Sequence, residues 1–358
     1  MKIHPELSQR IDFIRFPLIV GVVFIHANVI AVNFADGSSG INQMGKLPTF
    51  VRDYFSNVLF RVAVPLFFII SGYLFFITYR NTWSGYVSKI RSRIKTLLIP
   101  ILFWNILTLC IMALAQSIPA TSVLFSGDKS PISSYSVFDY FNAIFGLNQL
   151  PVAGQFWFIR DLFVMVLFTP LIYVMIRWIP FIVIPGLLAC WYFYFWPLPF
   201  PTIPAVTFFV IGGYLGLKEF NFCSLDRYGK FLLPVYICIS LVDLLTKGEA
   251  YNNLIHNAGL LTGLTVAFFT VRYMQRIGPL NRLVVWATPA SFFVFAFHEP
   301  FQLILRKTLY RILHPETEIS VLLLYFGIPI LVLAIGLSLY FILMKLSPRG
   351  VKIIAGGR

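Results

Sequence analysis

Long runs of apolar residues, separated by short polar stretches, make up most of the chain. A membrane-spanning helix needs about 20 mostly apolar residues, and the pattern predicts ten such helices. We therefore predict an all-α fold, a polytopic integral membrane helical bundle, with one membrane-embedded domain over residues 1–358. The predicted spans cover residues 11–33, 51–78, 96–116, 155–178, 179–195, 203–217, 231–246, 252–272, 284–305 and 319–345.

The positions of the basic residues predict an orientation for these helices. If the N-terminus lies in the cytoplasm, 18 of the 28 Lys and Arg residues fall on the inner side, 7 on the outer side and 3 within spans. Lys and Arg are enriched in the cytoplasmic loops of membrane proteins. The bias therefore predicts that both termini are cytoplasmic and that the number of spans is even. The longest connection, residues 117–154, falls outside.

The composition agrees with a lipid environment. Hydrophobic residues make up 58% of the chain and charged residues 12%, which lies outside the range of soluble domains. A net charge of +14 would suggest nucleic acid for a soluble protein, but the inner-side bias accounts for it, and we expect no nucleic-acid partner. The four cysteines have neither paired spacing nor His neighbours at metal-ligand intervals, so we expect no disulfide and no metal.

Charged residues in the first predicted span are the first candidates for chemistry. Arg15 and His26 are eleven residues apart, which places them on one helix face about 16 Å apart along the axis. Arg15 near the cytoplasmic end suits an anion, and His26 past the middle suits proton transfer. Asp12, one turn before Arg15, is expected to orient its guanidinium. The alternative is a packing histidine and an arginine that reaches the interface.

Basic residues of the second span and of the segment after it suggest binding of an anionic donor. Arg61 falls near mid-membrane, where a charge costs at least about 2.5 kcal/mol, so it should meet an anionic ligand or a partner such as Asp161 or Glu299. A structural ion pair is the alternative. The segment after this span forms a basic inner loop with four cationic residues, Lys89, Arg91, Arg93 and Lys95. This loop is either a topogenic or lipid-binding signal, or it binds the phosphates of a donor.

Two later segments carry polar residues at the outer side and at the depth of His26. Trp157, Arg160 and Asp161 begin the fourth predicted helix and suggest an outward pocket for a sugar; neighbours in sequence point apart on a helix, so Arg160 and Asp161 are not expected to pair. His298 and Glu299 lie as deep in the ninth helix as His26 does in the first, which favours a common site. The remaining histidines are expected at the surface: His4, His256 and His314.

These motifs together resemble those of the bacterial membrane acyltransferases known as acyltransferase family 3. Asp12, Arg15 three residues later and His26 after ten intervening residues match the family's signature. The resemblance continues through PLFFIISGYLF (65–75), the basic inner loop, FWFIRDL (156–162) and FAFHEP (295–300). The C-terminal segment KLSPRGVKIIAGGR is similar to that of members that acetylate surface polysaccharides, such as the enterobacterial common antigen O-acetyltransferase. The family's ten-helix count also agrees.

The resemblance implies an O-acyltransferase of the bacterial inner membrane. It implies transfer of an acyl group, commonly acetyl from acetyl-CoA in the cytoplasm, to a hydroxyl of a surface polysaccharide or lipid-linked glycan on the outer side. His26 would be the catalytic histidine and Arg15 its partner near the donor. The family often carries two arginines three apart in the inner loop. Here Thr96 follows Arg93 at that spacing, so Arg91, Arg93 and Lys95 all stay candidates for the acyl-CoA phosphates.

A transporter or flippase for acyl donors or lipid-linked sugars is the alternative function. In such a protein the buried charges would line a pathway and no bond would form. Against it, the sequence shows no two halves with matching broken helices. If the protein is an enzyme, we predict that four further residues support the reaction or stabilise the oxyanion: Arg61, His298, Glu299 and Asp12. The predicted partners are acyl-CoA, a glycan acceptor and the lipid bilayer.

Overall fold

The protein is almost entirely helical in the computed structural model, which describes residues 3–28, 32, 34, 46–79, 81–122, 125 and 130–357. The described chain is 83% helical and contains no strand. This confirms the predicted all-α, multi-pass membrane fold. The end of the first predicted span and part of the predicted outer connection 117–154 lie outside the described residues.

Seventeen α-helices follow one another in the described residues, joined by short π-helical and 3-10 turns. The π-helical turns are Asp53–Val58 and Ile94–Leu98; the 3-10 turns are Leu59–Val62, Ile132–Ser134, Gly154–Phe156, Phe222–Leu225 and Thr288–Ala290. The α-helices are α1 (Pro5–His26), α2 (Lys46–Arg52), α3 (Ala63–Phe76), α4 (Trp83–Arg93), α5 (Ile99–Ser117), α6 (Pro119–Ser122), α7 (Val137–Phe145), α8 (Trp157–Leu167), α9 (Thr169–Trp178), α10 (Pro180–Tyr192), α11 (Ile203–Leu217), α12 (Asp226–Leu245), α13 (Asn252–Met274), α14 (Gly278–Ala287), α15 (Ser291–Leu313), α16 (Glu318–Leu346) and α17 (Pro348–Ile354).

Fewer helices than predicted are long and apolar enough to cross a membrane. Six meet both conditions among the described residues, or seven if α8 and α9, bent by 68° at their junction, form one span. The predicted count of about ten is therefore not confirmed. Two of the predicted spans correspond to α10 and α11, which have 13 and 15 residues, against the usual 20 or so. Helix α1 carries four charged residues, Glu6, Arg10, Asp12 and Arg15, and is not among the six.

Several helices begin at side chains that satisfy their free backbone N–H groups. The Thr82 hydroxyl accepts a hydrogen bond from Gly85 N at the start of α4. Ser136 and Thr317 form reciprocal capping boxes at the starts of α7 and α16. Such caps stabilise a helix start by about 1 kcal/mol. Helix α15 ends at Leu313, two residues before Pro315. The residue that precedes a proline disfavours helical backbone, which explains this end.

The helices divide into two compact units, each assembled from three stretches of the chain. Unit 1 comprises Met1–Val22, Val58–Ile94 and Arg160–Ser291. Its tightest packing joins α3 to α11, where a Cβ added at Gly72 would overlap the carbonyl oxygen of Phe209. Glycine removes this obstacle, and small residues let membrane helices approach closely. The sequence PLFFIISGYLF thus has a packing role at its glycine.

Two buried charge clusters also belong to unit 1. Arg10 is 1% exposed and donates to both carboxylate oxygens of Asp226, at 2.9 and 2.8 Å. This pairing is what allows a buried guanidinium, since an unpaired charge would be costly. In the second cluster the His256 Nδ1 lies 2.8 Å from the buried Asp243 carboxylate, which also accepts from Lys247. The prediction that His256 is a surface residue is therefore wrong, whereas His4 and His314 are exposed.

Unit 2 comprises Val23–Asn57, Lys95–Ile159 and Phe292–Arg358. Its centre is α15, where the Phe297 and Phe301 rings stack with centroids 4.0 Å apart. Gly336 of α16 faces Phe297 of this helix. The indole N–H of Trp104 in α5 donates to the Ile354 carbonyl of α17 at 3.0 Å. Helix α15 thus packs against α16, and it carries most of the candidate site.

Candidate active site

His26 of α1 and Glu299 of α15 form the central pair of the candidate site. The His26 Nδ1 and Glu299 Oε2 atoms are 2.7 Å apart and form an ion pair, although the contact does not have the directed geometry of a hydrogen bond. A carboxylate at Nδ1 keeps the proton on that nitrogen, which leaves Nε2 as the basic nitrogen of the ring. The two side chains are 24% and 26% exposed, although the Glu299 Oε2 atom itself is buried.

His298 lies beside this pair and is completely buried. Its ring centroid is 5.1 Å from that of His26, with the rings edge to face. The His298 Nδ1 is 2.6 Å from the Phe295 carbonyl oxygen, so Nδ1 donates and Nε2 carries a lone pair. That Nε2 has no hydrogen-bond partner among the described residues. The structure thus brings together the two histidines for which the sequence predicts a common depth.

The same three side chains raise the question of a metal ion. One ligand atom from each of His26, His298 and Glu299 lies within 4.8 Å of the other two, and two His with one Glu is a ligand set of catalytic zinc. Ligands bound to one tetrahedral zinc at about 2.1 Å lie about 3.4 Å apart. The 2.7 Å contact of His26 with Glu299 is shorter and fits a direct ion pair better than two ligands of one metal ion.

Two further polar residues of α15 continue the same helix face. Gln302 and Arg306 follow His298 at intervals of four residues, so all three project from one side of the helix. Gln302 is 1% exposed and donates from Nε2 to the Val23 carbonyl oxygen at 3.1 Å. Arg306 donates from Nη1 to the His26 carbonyl oxygen at 3.4 Å. Both side chains are therefore tied to the backbone at the end of α1.

Gln302 and Arg306 line a pocket of about 290 Å³, including its open mouth. The wall is otherwise mainly apolar and aromatic: Ala27, Tyr310, Leu324, Tyr325, Ile328 and Pro329. The Tyr325 hydroxyl is fixed at 2.8 Å from Ser56 Oγ, which donates to the Phe24 carbonyl oxygen. A mainly apolar pocket with a few placed polar groups is the usual form of a small-molecule site.

Sequence reasoning missed Gln302 and placed Arg306 in an outer segment beyond the ninth span. The structure places Arg306 within α15, which continues to Leu313, eight residues past the predicted end at residue 305. The sequence does contain a pattern that indicates the role of these residues. His298, Gln302, Arg306 and Tyr310 recur every four residues, and a polar stripe of this kind on an apolar helix indicates an inward face.

Asp12, Arg15 and Arg61 lie in unit 1. Arg15 Nη1 is 3.0 Å from Asp12 Oδ1, which is the predicted contact one helical turn apart. Arg15 is 26% exposed and Asp12 55%, so this ion pair is partly solvated. Arg61 lies in the 3-10 turn Leu59–Val62 and is partly buried. The roles assigned to these three residues stay predictions.

The predicted basic inner loop is helical in the structure. A continuous helical stretch runs from Trp83 to Ser117; it places Arg91 and Arg93 at the end of α4 and Lys95 in the following π-helical turn. Arg91 and Lys95 are exposed and Arg93 is partly buried. Lys89 donates to the Phe75 carbonyl oxygen at 2.8 Å, near the end of α3, where a cation is favoured. Arg91, Arg93 and Lys95 thus remain the candidates for phosphates.

The residues predicted to bind an acceptor begin α8, and two of them pair with each other. Arg160 Nη2 is 2.9 Å from Asp161 Oδ1, so the expectation that these neighbours do not pair is wrong. The long guanidinium side chain reaches back to the next residue's carboxylate. Asp161 is fully buried and also accepts from Thr202 N at 2.7 Å, which favours a structural role. Trp157 begins the helix and is partly exposed; its acceptor role stays a prediction.

Comparison with known proteins identifies the family to which the chain belongs. A family model described as an acyltransferase domain matches residues 8–343. The chain is also similar to the succinoglycan biosynthesis protein ExoH of Rhizobium meliloti (strain 1021), with 24% identity over 371 residues that cover 99% of this chain and 93% of that protein. No solved structure matches the chain.

Proposed function

Because this chain belongs to acyltransferase family 3, we propose that it is a membrane O-acyltransferase that modifies a hydroxyl of a surface polysaccharide or lipid-linked glycan. The donor is an acyl-CoA, with acetyl as the acyl group, and it binds from the cytoplasm. The acceptor arrives at the outer side of the bacterial inner membrane. The similarity to a protein of succinoglycan biosynthesis supports a polysaccharide acceptor.

The observation that carries the proposal is the 2.7 Å contact of His26 Nδ1 with Glu299 Oε2. In this arrangement Glu299 fixes the ring and its tautomer, and the basic Nε2 of His26 takes the proton of the acceptor hydroxyl. The oxygen attacks the thioester carbonyl carbon and forms the new C–O bond. The C–S bond then breaks, and the proton returns from His26 to the departing thiolate of coenzyme A.

The basic residues divide between donor binding and charge stabilisation in this proposal. Arg91, Arg93 and Lys95 bind the phosphates of the donor, since Lys and Arg form charge-assisted hydrogen bonds with phosphate. Arg15, about 16 Å below His26 along an ideal helix, assists on the donor side. Arg61 is the candidate for stabilising the oxyanion that develops during attack. The exposure of Arg91 and Lys95 and the partial exposure of Arg93 support their availability to a large cytoplasmic ligand.

The test uses purified protein in detergent, radiolabelled acetyl-CoA and envelope glycan from a strain of the source organism that lacks this gene. That glycan supplies acceptor without the modification. We expect the wild type to transfer label to the glycan and His26→Ala to lose transfer, because the base is gone. His314→Ala, at an exposed histidine, is the matched control and should keep full activity.

Two outcomes contradict the proposal. Wild-type protein that moves labelled donor or glycan across vesicles without forming a labelled ester would favour the transporter. A folded His26→Ala variant with unchanged transfer would remove His26 from the chemistry. Gel filtration in detergent, compared with the wild type, tests whether an inactive variant is still folded.

A further inference from the structure

Three buried polar atoms on one face of α15 have no hydrogen-bond partner among the described residues. They are His298 Nε2, Gln302 Oε1 and Arg306 Nε. Buried polar groups are nearly always paired in folded proteins, and each exception needs an explanation. Glu299 Oε2 of the same helix also has no hydrogen-bond partner but lies 2.7 Å from His26. The other three atoms belong to consecutive members of one helical stripe, which points to a ligand that pairs with them when bound.

The remaining atoms of these side chains are held in place. Gln302 uses Nε2 on the Val23 carbonyl and Arg306 uses Nη1 on the His26 carbonyl. The amide oxygen of Gln302 and the Nε–H of Arg306 are therefore the groups left over. One is an acceptor and the other is a donor. Both residues line the pocket beside Ala27, the residue next to His26.

A hydroxyl is the chemical group that can pair with both the Gln302 amide oxygen and the Arg306 Nε–H. A hydroxyl donates one hydrogen bond and accepts others, so a single hydroxyl, or two adjacent ones, satisfies Gln302 and Arg306 together. An acyl carbonyl only accepts and would leave the Gln302 oxygen unpaired. The enclosed part of the pocket has room for a group about the size of one water molecule. It therefore takes a single hydroxyl of a sugar whose ring lies at the open mouth.

The predicted orientation of α15 places this pocket on the acceptor side. The basic residues predict that this helix runs outward, so Gln302 and Arg306 lie about 6 and 12 Å further outward than His298 at 1.5 Å per residue. The glycan approaches from that side under the proposed function. The pocket and the base therefore lie in the order in which an acceptor would meet them.

We propose that Gln302 and Arg306 bind the acceptor sugar, by pairing with a hydroxyl adjacent to the one that His26 deprotonates. This inference rests on the proposed acyltransferase function and assigns acceptor recognition to residues of α15. It predicts that the two side chains affect affinity for the glycan and leave affinity for the acyl donor unchanged.

The experiment measures the KM of each substrate separately for Gln302→Met and Arg306→Lys. The first removes the acceptor oxygen in a flexible side chain of similar length; the second keeps the charge but removes the Nε–H. The probes are radiolabelled acetyl-CoA and the unmodified glycan of the deletion strain, titrated in hexose equivalents. Lys307→Arg, at the next residue and outside the pocket lining, is the matched control.

We expect the KM for glycan to rise about ten-fold for Gln302→Met and about ten-fold or more for Arg306→Lys, the usual effects of losing a neutral or a charged hydrogen bond. The KM for acetyl-CoA should stay within about two-fold of the wild type. The control should match the wild type for both substrates.

An unchanged glycan KM in both variants would overturn the inference, as would a rise confined to the acetyl-CoA KM, which would assign the pocket to the donor. If Gln302→Met fails to fold, the glycan KM of Arg306→Lys alone tests the inference, because this substitution nearly preserves the volume and keeps the charge of the side chain. Failure of the inference is separable from failure of the function. In the first case the wild type still transfers label and His26→Ala does not, and in the second the wild type transfers none.

Discussion

Replacing Glu299 by Gln tests the central pair of the site with little change in shape. The substitution keeps the length of the side chain and removes the charge that faces His26 Nδ1 at 2.7 Å. An amide no longer selects the tautomer, because it offers a donor as well as an acceptor. His26 then lacks both a fixed Nδ1–H and a countercharge for the imidazolium that forms during transfer.

The expected loss follows from the geometry of the pair. A hydrogen bond to a charged group contributes about 1.5–3 kcal/mol, and about 1.4 kcal/mol corresponds to ten-fold in rate, so the bond alone predicts a loss of about 10–150-fold in kcat. The equivalent carboxylate-to-amide change in a serine protease lowers kcat about 10⁴-fold. Since the contact between the two side chains lacks the directed geometry of a hydrogen bond, we expect about 100-fold, within the range for the single interaction.

The assay is the initial rate of label transfer at saturating acetyl-CoA and glycan, with Glu316→Gln as the matched control at an exposed position. Combining Glu299→Gln with His26→Ala should cost no more than His26→Ala alone, because the carboxylate acts through the histidine. A folded Glu299→Gln variant with wild-type kcat would refute the assignment of the pair. Additive losses in the double variant would show that Glu299 acts separately from His26.

Two further predictions concern metal independence and helix packing. Dialysis against EDTA should leave transfer unchanged, because the His26–Glu299 distance fits a direct ion pair better than two ligands of one metal ion; loss of activity that zinc restores would contradict this. Gly72→Ala should destabilise the protein by about 1–3 kcal/mol and lower its unfolding temperature in detergent, since the new Cβ overlaps the Phe209 carbonyl. Gly186→Ala, where a Cβ meets nothing within 4 Å, is the control, and equal unfolding temperatures would show that the α3–α11 contact adapts.

The membrane class and the candidate histidines follow from local features of the chain. Apolar runs of sufficient length indicate spanning helices whatever their neighbours are, because lipid imposes this requirement on each helix separately. The ten-helix estimate is not confirmed at α10 and α11, which are shorter than a usual span, or at α1, whose first half is charged. Those differences depend on helix ends and on neighbouring segments, which hydrophobicity alone does not specify.

The sequence by itself determined the all-α membrane fold, and it predicted an equal depth for His26 and His298. Depth depends only on the residue count along a helix. Tertiary structure decided which side chains face each other: that Glu299 contacts His26, that Asp161 pairs with Arg160, and that Arg306 belongs to the pocket. Such contacts depend on the rotation of each helix about its axis and on where α15 ends. Both are set by packing between segments distant in sequence, such as the contact of Gly336 with Phe297.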